Sequence, residues 1–106
     1  MTEPLLQIVT TTASAEEARR IATALVERRL AACVQIVGPV ESVYRWQGKI
    51  ETATEWQCQI KTRQLNYSVV EAAIRELHSY DVPEILAFPI SDASSAYRQW
   101  LIDETQ

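Results

Sequence analysis

A chain of 106 residues with 47% hydrophobic residues, 2 glycines and 4 prolines has the apolar content for a packed core and excludes a low-complexity or disordered polymer; one domain over residues 1–106 is expected. Ten basic against fourteen acidic residues leave a formal charge of -4, which argues against a nucleic-acid binder, because phosphate recognition needs a basic face. Met1-Thr2-Glu3-Pro4 lacks the cationic stretch and apolar core of a signal peptide, and no apolar run approaches the ~20 residues of a membrane span. Cys33 and Cys58 show no disulfide-framework spacing, so a cytoplasmic protein with reduced thiols and no membrane partner is expected.

Leu5 to Thr12 (LLQIVTTT) is rich in branched residues and reads as a strand. Ser14-Ala15-Glu16-Glu17 matches a capping box, with Ser14 at the N-cap and Glu17 at the third helical position. Ala18, Ile21, Ala22 and Leu25 recur at helical spacing, which predicts a helix from Ala15 to Arg29. Ala31 to Val37 reads as a second strand. Gly38-Pro39 interrupts it with a bulge or bend, because proline removes a ladder donor, and the strand resumes from Val40 to Trp46. Gln47-Gly48 then reads as a two-residue hairpin turn, where glycine tolerates positive φ.

From Ile50 to Lys61 the alternation is regular. Ile50, Thr52, Thr54, Trp56, Cys58 and Ile60 share one face and the polar residues between them the other, the period-2 signature of a half-buried strand. Val70, Ala73, Ile74 and Leu77 predict a second helix ending near His78 or Ser79, with Ser68-Val69-Val70-Glu71 as a further capping-box candidate. Pro83 stops that helix and pushes Val82 toward extended geometry. Ile85 to Ile90 reads as a fourth strand, and Pro89 marks it as an edge or strand end. Tyr97, Trp100, Leu101 and Glu104 predict a short C-terminal helix with aromatics able to pack on the sheet.

The order β-α-β-β-α-β-α predicts an α+β fold: a ferredoxin-like βαββαβ sandwich with an extra C-terminal helix and a long protruding β-hairpin. A strand from Ile50 to Lys61 would span roughly 40 Å at ~3.4 Å per residue, against a radius of gyration of roughly 13 Å for a compact domain of this length. Such a strand overhangs its own core, and the exposed hairpin edges invite another chain. A homo-oligomer built through the hairpin is therefore expected, with Trp46 and Trp56 facing the partner; a bulge that folds the strand back is the alternative.

The segment His78-Ser79-Tyr80-Asp81-Val82-Pro83-Glu84 concentrates the chain's chemistry, with its one histidine beside an aromatic ring, two carboxylates and a proline. His78 reads as a metal ligand, with Glu84 as a carboxylate partner, or as a residue that satisfies carbonyls at a helix end. Asp81 reads as a turn residue. Tyr44, Trp46, Trp56, Lys61 and Tyr80 are candidates for a pocket between subunits; plain interface packing of the aromatics is the alternative. Cys33 and Cys58 lie among apolar neighbours and read as inert thiols rather than soft ligands. No nucleophile-base pairing, glycine-rich phosphate loop or zinc-type Cys/His spacing is present, so an enzyme is not expected.

Leu30-Ala31-Ala32-Cys33-Val34, Ser42 to Ile50 (SVYRWQGKI), Ile60-Lys61-Thr62 and His78 to Ile85 (HSYDVPEI) together resemble the CutA divalent-cation-tolerance family, and Pro89-Ile90 and the Tyr97/Trp100 helix fit as well. The resemblance covers nearly the whole chain. It implies a small cytosolic homotrimer with a ferredoxin-like protomer and a role in divalent-metal tolerance, copper being the metal usually named. Some bacterial members have been proposed to bind copper through a cysteine after the first strand and a histidine pair before the Tyr-x-x-Pro-Glu motif. Here Thr10 to Ala13 contains no cysteine, Leu77 stands where a second histidine would, and only His78 carries over. The expected function is thus a non-enzymatic protein with no required cofactor that binds Cu(II) or another divalent cation weakly at inter-subunit sites. A small-molecule sensor of the PII type and a structural trimeric scaffold are the alternatives.

Overall fold

The computed structural model describes residues 3–106; Met1 and Thr2, part of the segment read above for a leader, lie outside the described residues. The elements are β1 (Leu5–Thr12), α1 (Ala15–Glu27), β2 (Cys33–Trp46), β3 (Lys49–Arg63), a 3-10 turn (Gln64–Asn66), α2 (Tyr67–Leu77), β4 (Leu86–Ile90) and α3 (Ser95–Glu104). The sheet order is β2-β3-β1-β4 with every neighbouring pair antiparallel, which is the expected ferredoxin-like arrangement. β4 pairs with β1 alone, so Pro89 sits where a missing donor costs no ladder bond on the outer side.

Register decides which residues are buried. Ile8 stands opposite Ile60 and Thr10 opposite Cys58, and this face packs on Ala18, Ile21 and Leu25 of α1 and on Val70, Ala73 and Ile74 of α2. Each fully buried Leu or Ile here contributes about 1.5–3 kcal/mol of transfer free energy. The half-buried pattern expected from Ile50 to Lys61 holds for the half of β3 that lies under the helices, where Cys58, Ile60 and Thr62 are buried. Lys49 to Thr54 extends beyond them and is largely exposed.

The helix ends depart from expectation in two places. Ser14 Oγ accepts from the Glu17 amide at 3.1 Å as predicted, but α1 stops at Glu27 because Arg29 turns left-handed at φ 59°. α2 begins at Tyr67 rather than at a Ser68 cap: the 3-10 turn feeds straight into the helix, leaving Ser68 inside its first turn. In α3, capped by Ser94, only Leu101 is buried. Tyr97 and Trp100 remain exposed, at 40% and 43%, and pair with each other at 5.3 Å, with the Tyr97 hydroxyl against the Cys33 thiol at the start of β2.

The hairpin is a single pair of long strands with one irregularity. The β2–β3 register shifts between Val37 and Val40, so Gly38-Pro39, joined by a cis peptide bond, forms the predicted bulge without breaking the strand. A side chain at position 38 would run into the Trp56 ring. Trp46 pairs with Lys49 around Gln47 (φ 50°) and Gly48 (φ 80°), the two positive-φ positions of a type I′ turn. The hairpin stretches the molecule to 47 × 25 × 23 Å. Its far end leaves Val43 64% and Ile50 70% exposed.

Candidate functional site

The α2–β4 segment is anchored before it reaches the cleft. α2 ends where the His78 amide donates to the Ile74 carbonyl at 2.9 Å and His78 itself turns extended (φ -83°, ψ 143°). That turn drives the imidazole inward, where its side chain is 0% exposed. Nε2 lies 2.7 Å from the Thr11 carbonyl, and Nδ1 lies 3.1 Å from the Tyr80 amide. Since a carbonyl only accepts and an amide only donates, the ring carries its proton on Nε2 and accepts at Nδ1. His78 therefore ties the end of β1 to the segment that follows α2.

Glu17 provides the second anchor. Its buried carboxylate accepts from the Ser79 amide at 2.8 Å and the Ser79 hydroxyl at 3.1 Å, and lies 3.6 Å from His78 Nδ1. Burial alone would raise its pKa. The two Ser79 bonds first, then the charge of His78 whenever its ring is protonated and the Ala13 amide, outweigh burial and hold the carboxyl below its ordinary value. The capping box predicted at Ser14 is thus half realised: the backbone cap forms, while the Glu17 side chain crosses to another element.

Held this way, residues 80–84 face the hairpin across a cleft of about 600 Å³. Tyr44 and Trp46 of β2, Glu55 of β3, and Tyr80, Asp81 and Glu84 of the segment line it. The Tyr80 hydroxyl donates to Glu55 Oε2 at 2.8 Å, bridging segment and hairpin. Burial first, and the Glu55 carboxylate next, push the Tyr80 phenol up to about 12.

Four of the residues singled out in the sequence, Tyr44, Trp46, Tyr80 and Glu84, share this cleft. Trp56 does not: it stands opposite Thr12, on the helix-covered face, and packs against the core and Gly38. Lys61 lies toward the other end of the sheet, where its ammonium donates to Gln35 Oε1 at 2.8 Å. His78 lies behind the cleft rather than in its lining. Glu17 and Glu55 were missed as site residues. Both sat in regular patterns, a helix start and a polar strand face, and the partners that bury them arrive from the distant α2–β4 segment. The Ser-x-x-Glu spacing from Ser14 to Glu17 was the one local signal.

A resident copper ion does not fit within one chain. Both His78 nitrogens are engaged, and among the described residues no three His, Cys, Asp or Glu side chains stand close enough to hold a metal ion. The Cys58 thiol donates to the Ala18 carbonyl at 3.5 Å. Burial, with the nearby Glu17 charge, raises it to about 11, far from a ready thiolate. Neither cysteine is in a disulfide. No helix among the described residues is long and apolar enough to cross a membrane.

Comparison with known proteins is consistent across the chain. The family model described as CutA1 divalent ion tolerance protein matches residues 6–104. The "Protein CutA, chloroplastic" of Arabidopsis thaliana is 38% identical over 105 residues, covering 99% of this chain and 58% of the relative, so the chain spans little more than half of that protein. The "Divalent-cation tolerance protein CutA" of Archaeoglobus fulgidus is 45% identical over 98 residues, covering 92% of this chain and 94% of the relative. The solved structure of the divalent cation tolerance protein from Thermus thermophilus superposes with a TM-score of 0.94 at 41% identity, covering 96% of this chain and 99% of that one. With its sheet order, its hairpin and nearly its whole length matched, the chain belongs to the CutA1 divalent ion tolerance family.

Proposed function

We propose that the protein acts in divalent-cation tolerance as a non-enzymatic cytoplasmic homotrimer that binds hydrated divalent cations weakly at inter-subunit sites, with Glu84 of the acidic cleft as the principal carboxylate and a neighbouring subunit completing the donor set. The observation that supports the cation reading is the charge of the cleft: three carboxylates and no basic side chain among its lining residues. Oxygen donors of this kind suit Mg(II) and Mn(II) better than Cu(II), which would gain His78 only by displacing one of its two hydrogen bonds. His78 then positions the segment that carries Glu84 instead of ligating. The same engagement leaves its ring without a free nitrogen to serve as a catalytic base, which supports a non-enzymatic role. Two unpaired cysteines support a reducing compartment.

Surface supports the trimer. The single chain exposes 6585 Å², against roughly 6,000 Å² for a compact monomer of this mass, and the excess accompanies a bare hairpin. Among the described residues the outer edges of β2 and β4 are both unpaired, with exposed Leu86 and Phe88 on β4 and Val43 on β2. Edges of this sort are completed by a second copy. Light scattering on purified protein should give about three times the 12.0 kDa chain mass, and Ile50→Asp with Val43→Asp should shift it toward monomer. Calorimetric titration with Mn(II) and Cu(II) tests the site. Glu84→Gln should weaken Mn(II) binding about fivefold or more, and His78→Ala, which removes only the support behind that segment, should weaken it less than Glu84→Gln does. Loss of binding in His78→Ala alone would place the metal on the imidazole and overturn the carboxylate assignment.

A further inference from the structure

We infer that the cleft between the hairpin and residues 80–84 is a binding site for an organic ammonium ion, specifically an aliphatic amine with more than one positive centre. Three observations converge. The first is a buried charge: Glu55 is only 7% exposed, yet among the described residues it has no cationic partner. Its single hydrogen bond, from Tyr80, reaches Oε2 and leaves Oε1 free within a residue that lines the cleft. Oε1 keeps a small opening to the cleft, so a carboxylate with little access to water faces a space that a positive group can enter.

The second is the aromatic content. Tyr44, Trp46 and Tyr80 line the same space. Aromatic faces attract alkylammonium groups, and their apolar area accepts the methylene stem between charges. A bare metal ion makes no use of three rings, so the lining is more than a metal site needs. The third is layout and size. Asp81 and Glu84 are exposed while Glu55 is buried, so negative charge is present at both the rim and the floor. A volume of about 600 Å³ lies within the roughly 300–1,000 Å³ of small-molecule sites. A monovalent ammonium would satisfy one end and a neutral diol neither.

The inference does not rest on metal binding, and its test is arranged to keep the two apart. Purified, intact protein, stripped of metal with a chelator that is then dialysed away, is titrated calorimetrically with 1,4-diaminobutane. n-Butylamine, 1,4-butanediol and Mg(II) at matched ionic strength serve as comparison ligands. The expected result is saturable binding of the diamine, at least about tenfold weaker binding of butylamine and none of the diol. Glu55→Gln should weaken the diamine at least about tenfold. It keeps the Tyr80 acceptor, and a thermal melt confirms that it is folded. Trp46→Leu, at a residue 54% exposed in the single chain, tests the aromatic contribution, with light scattering confirming an unchanged assembly, and should weaken binding about two- to thirtyfold. No saturation by the diamine, or equal binding of the diol, would each overturn the inference. A protein that takes Mn(II) but never the diamine would refute this inference while leaving the metal reading intact.

Discussion

Removing the Glu17 carboxylate should unlatch the α2–β4 segment. Glu17 receives two bonds from Ser79, at 2.8 and 3.1 Å, from a buried position. Hydrogen bonds to a charged group contribute about 1.5–3 kcal/mol net, and a carboxylate in the first turn of a helix adds about 0.3–1 kcal/mol through the dipole. Ser79 is exposed and its freed amide can be hydrated, which limits the loss. Glu17→Ala is therefore expected to cost about 2–3 kcal/mol, and Glu17→Gln, which keeps one acceptor without charge, about 1–1.5 kcal/mol. The assay is guanidinium unfolding at one fixed protein concentration, because an oligomer's stability depends on concentration. The pH dependence gives a second readout. The folded-state pKa lies below the unfolded one, so the charge contributes fully above the ordinary value of 4.5. It is lost as pH falls through the folded value. The gap between wild type and Glu17→Gln should then narrow with acidification in the region below 4.5. A loss under about 0.5 kcal/mol in Glu17→Ala, the range of an ordinary surface change, would refute the latch, as would a gap that stays constant on acidification.

Three further outcomes follow from the geometry. Gly38→Ala puts a Cβ into the Trp56 ring and should cost about 1–3 kcal/mol of overpacking, read in the same unfolding assay, with a change in tryptophan emission. Gly48→Ala meets open space but inherits φ +80°. It should cost about 1 kcal/mol through backbone strain alone, with an unchanged tryptophan spectrum. In a spectrophotometric titration Tyr80 should ionise near 12, so Tyr80→Phe removes a phenol from the most alkaline step. The same variant takes away the one hydrogen bond on Glu55 found among the described residues and should destabilise the fold by about 1–2 kcal/mol.

The strands were legible because their patterning is local. The period-2 run through Ile60 and the Gln47-Gly48 turn specify the hairpin and its register without reference to the rest of the chain. Gly38-Pro39 announced its bulge in the same way. What the sequence hid was how far the helices reach along the sheet. Ile50, Thr52 and Thr54 carry the same alternation as Cys58 and Ile60, yet stand beyond α1 and α2 and remain exposed. α3 was legible as a helix from its spacing, which places Tyr97, Trp100 and Leu101 near one another, but only tertiary packing chooses Leu101 as the one that is buried. At the site, Tyr44, Trp46, Tyr80 and Glu84 were found by residue type, while Trp56 and Lys61 were grouped with them through strand membership. One step of strand alternation puts Trp56 on the other face, and several residues of length separate Lys61 from the cleft. His78 attracted attention by being the one histidine, and its two hydrogen-bond partners, from β1 and from the following turn, could not be paired with it before the topology was known.

The central position of β1 also constrains how the chain folds. β1 is translated first, yet its two neighbours come much later: Leu5 pairs with Arg63 on one side and with Ile90 on the other. At about 5–20 residues per second of synthesis, β1 waits several seconds with both ladder edges open, while the β2–β3 hairpin can close within about 1–10 μs of its emergence. The hairpin is thus the natural template, and β1 docks into the slot beside β3 before β4 seals the far edge. Topologies dominated by such distant pairings fold slowly, over milliseconds to seconds. The threonines that end β1, Thr10 to Thr12, shorten its apolar stretch and make the waiting strand a poorer seed for aggregation than an unbroken apolar run would be.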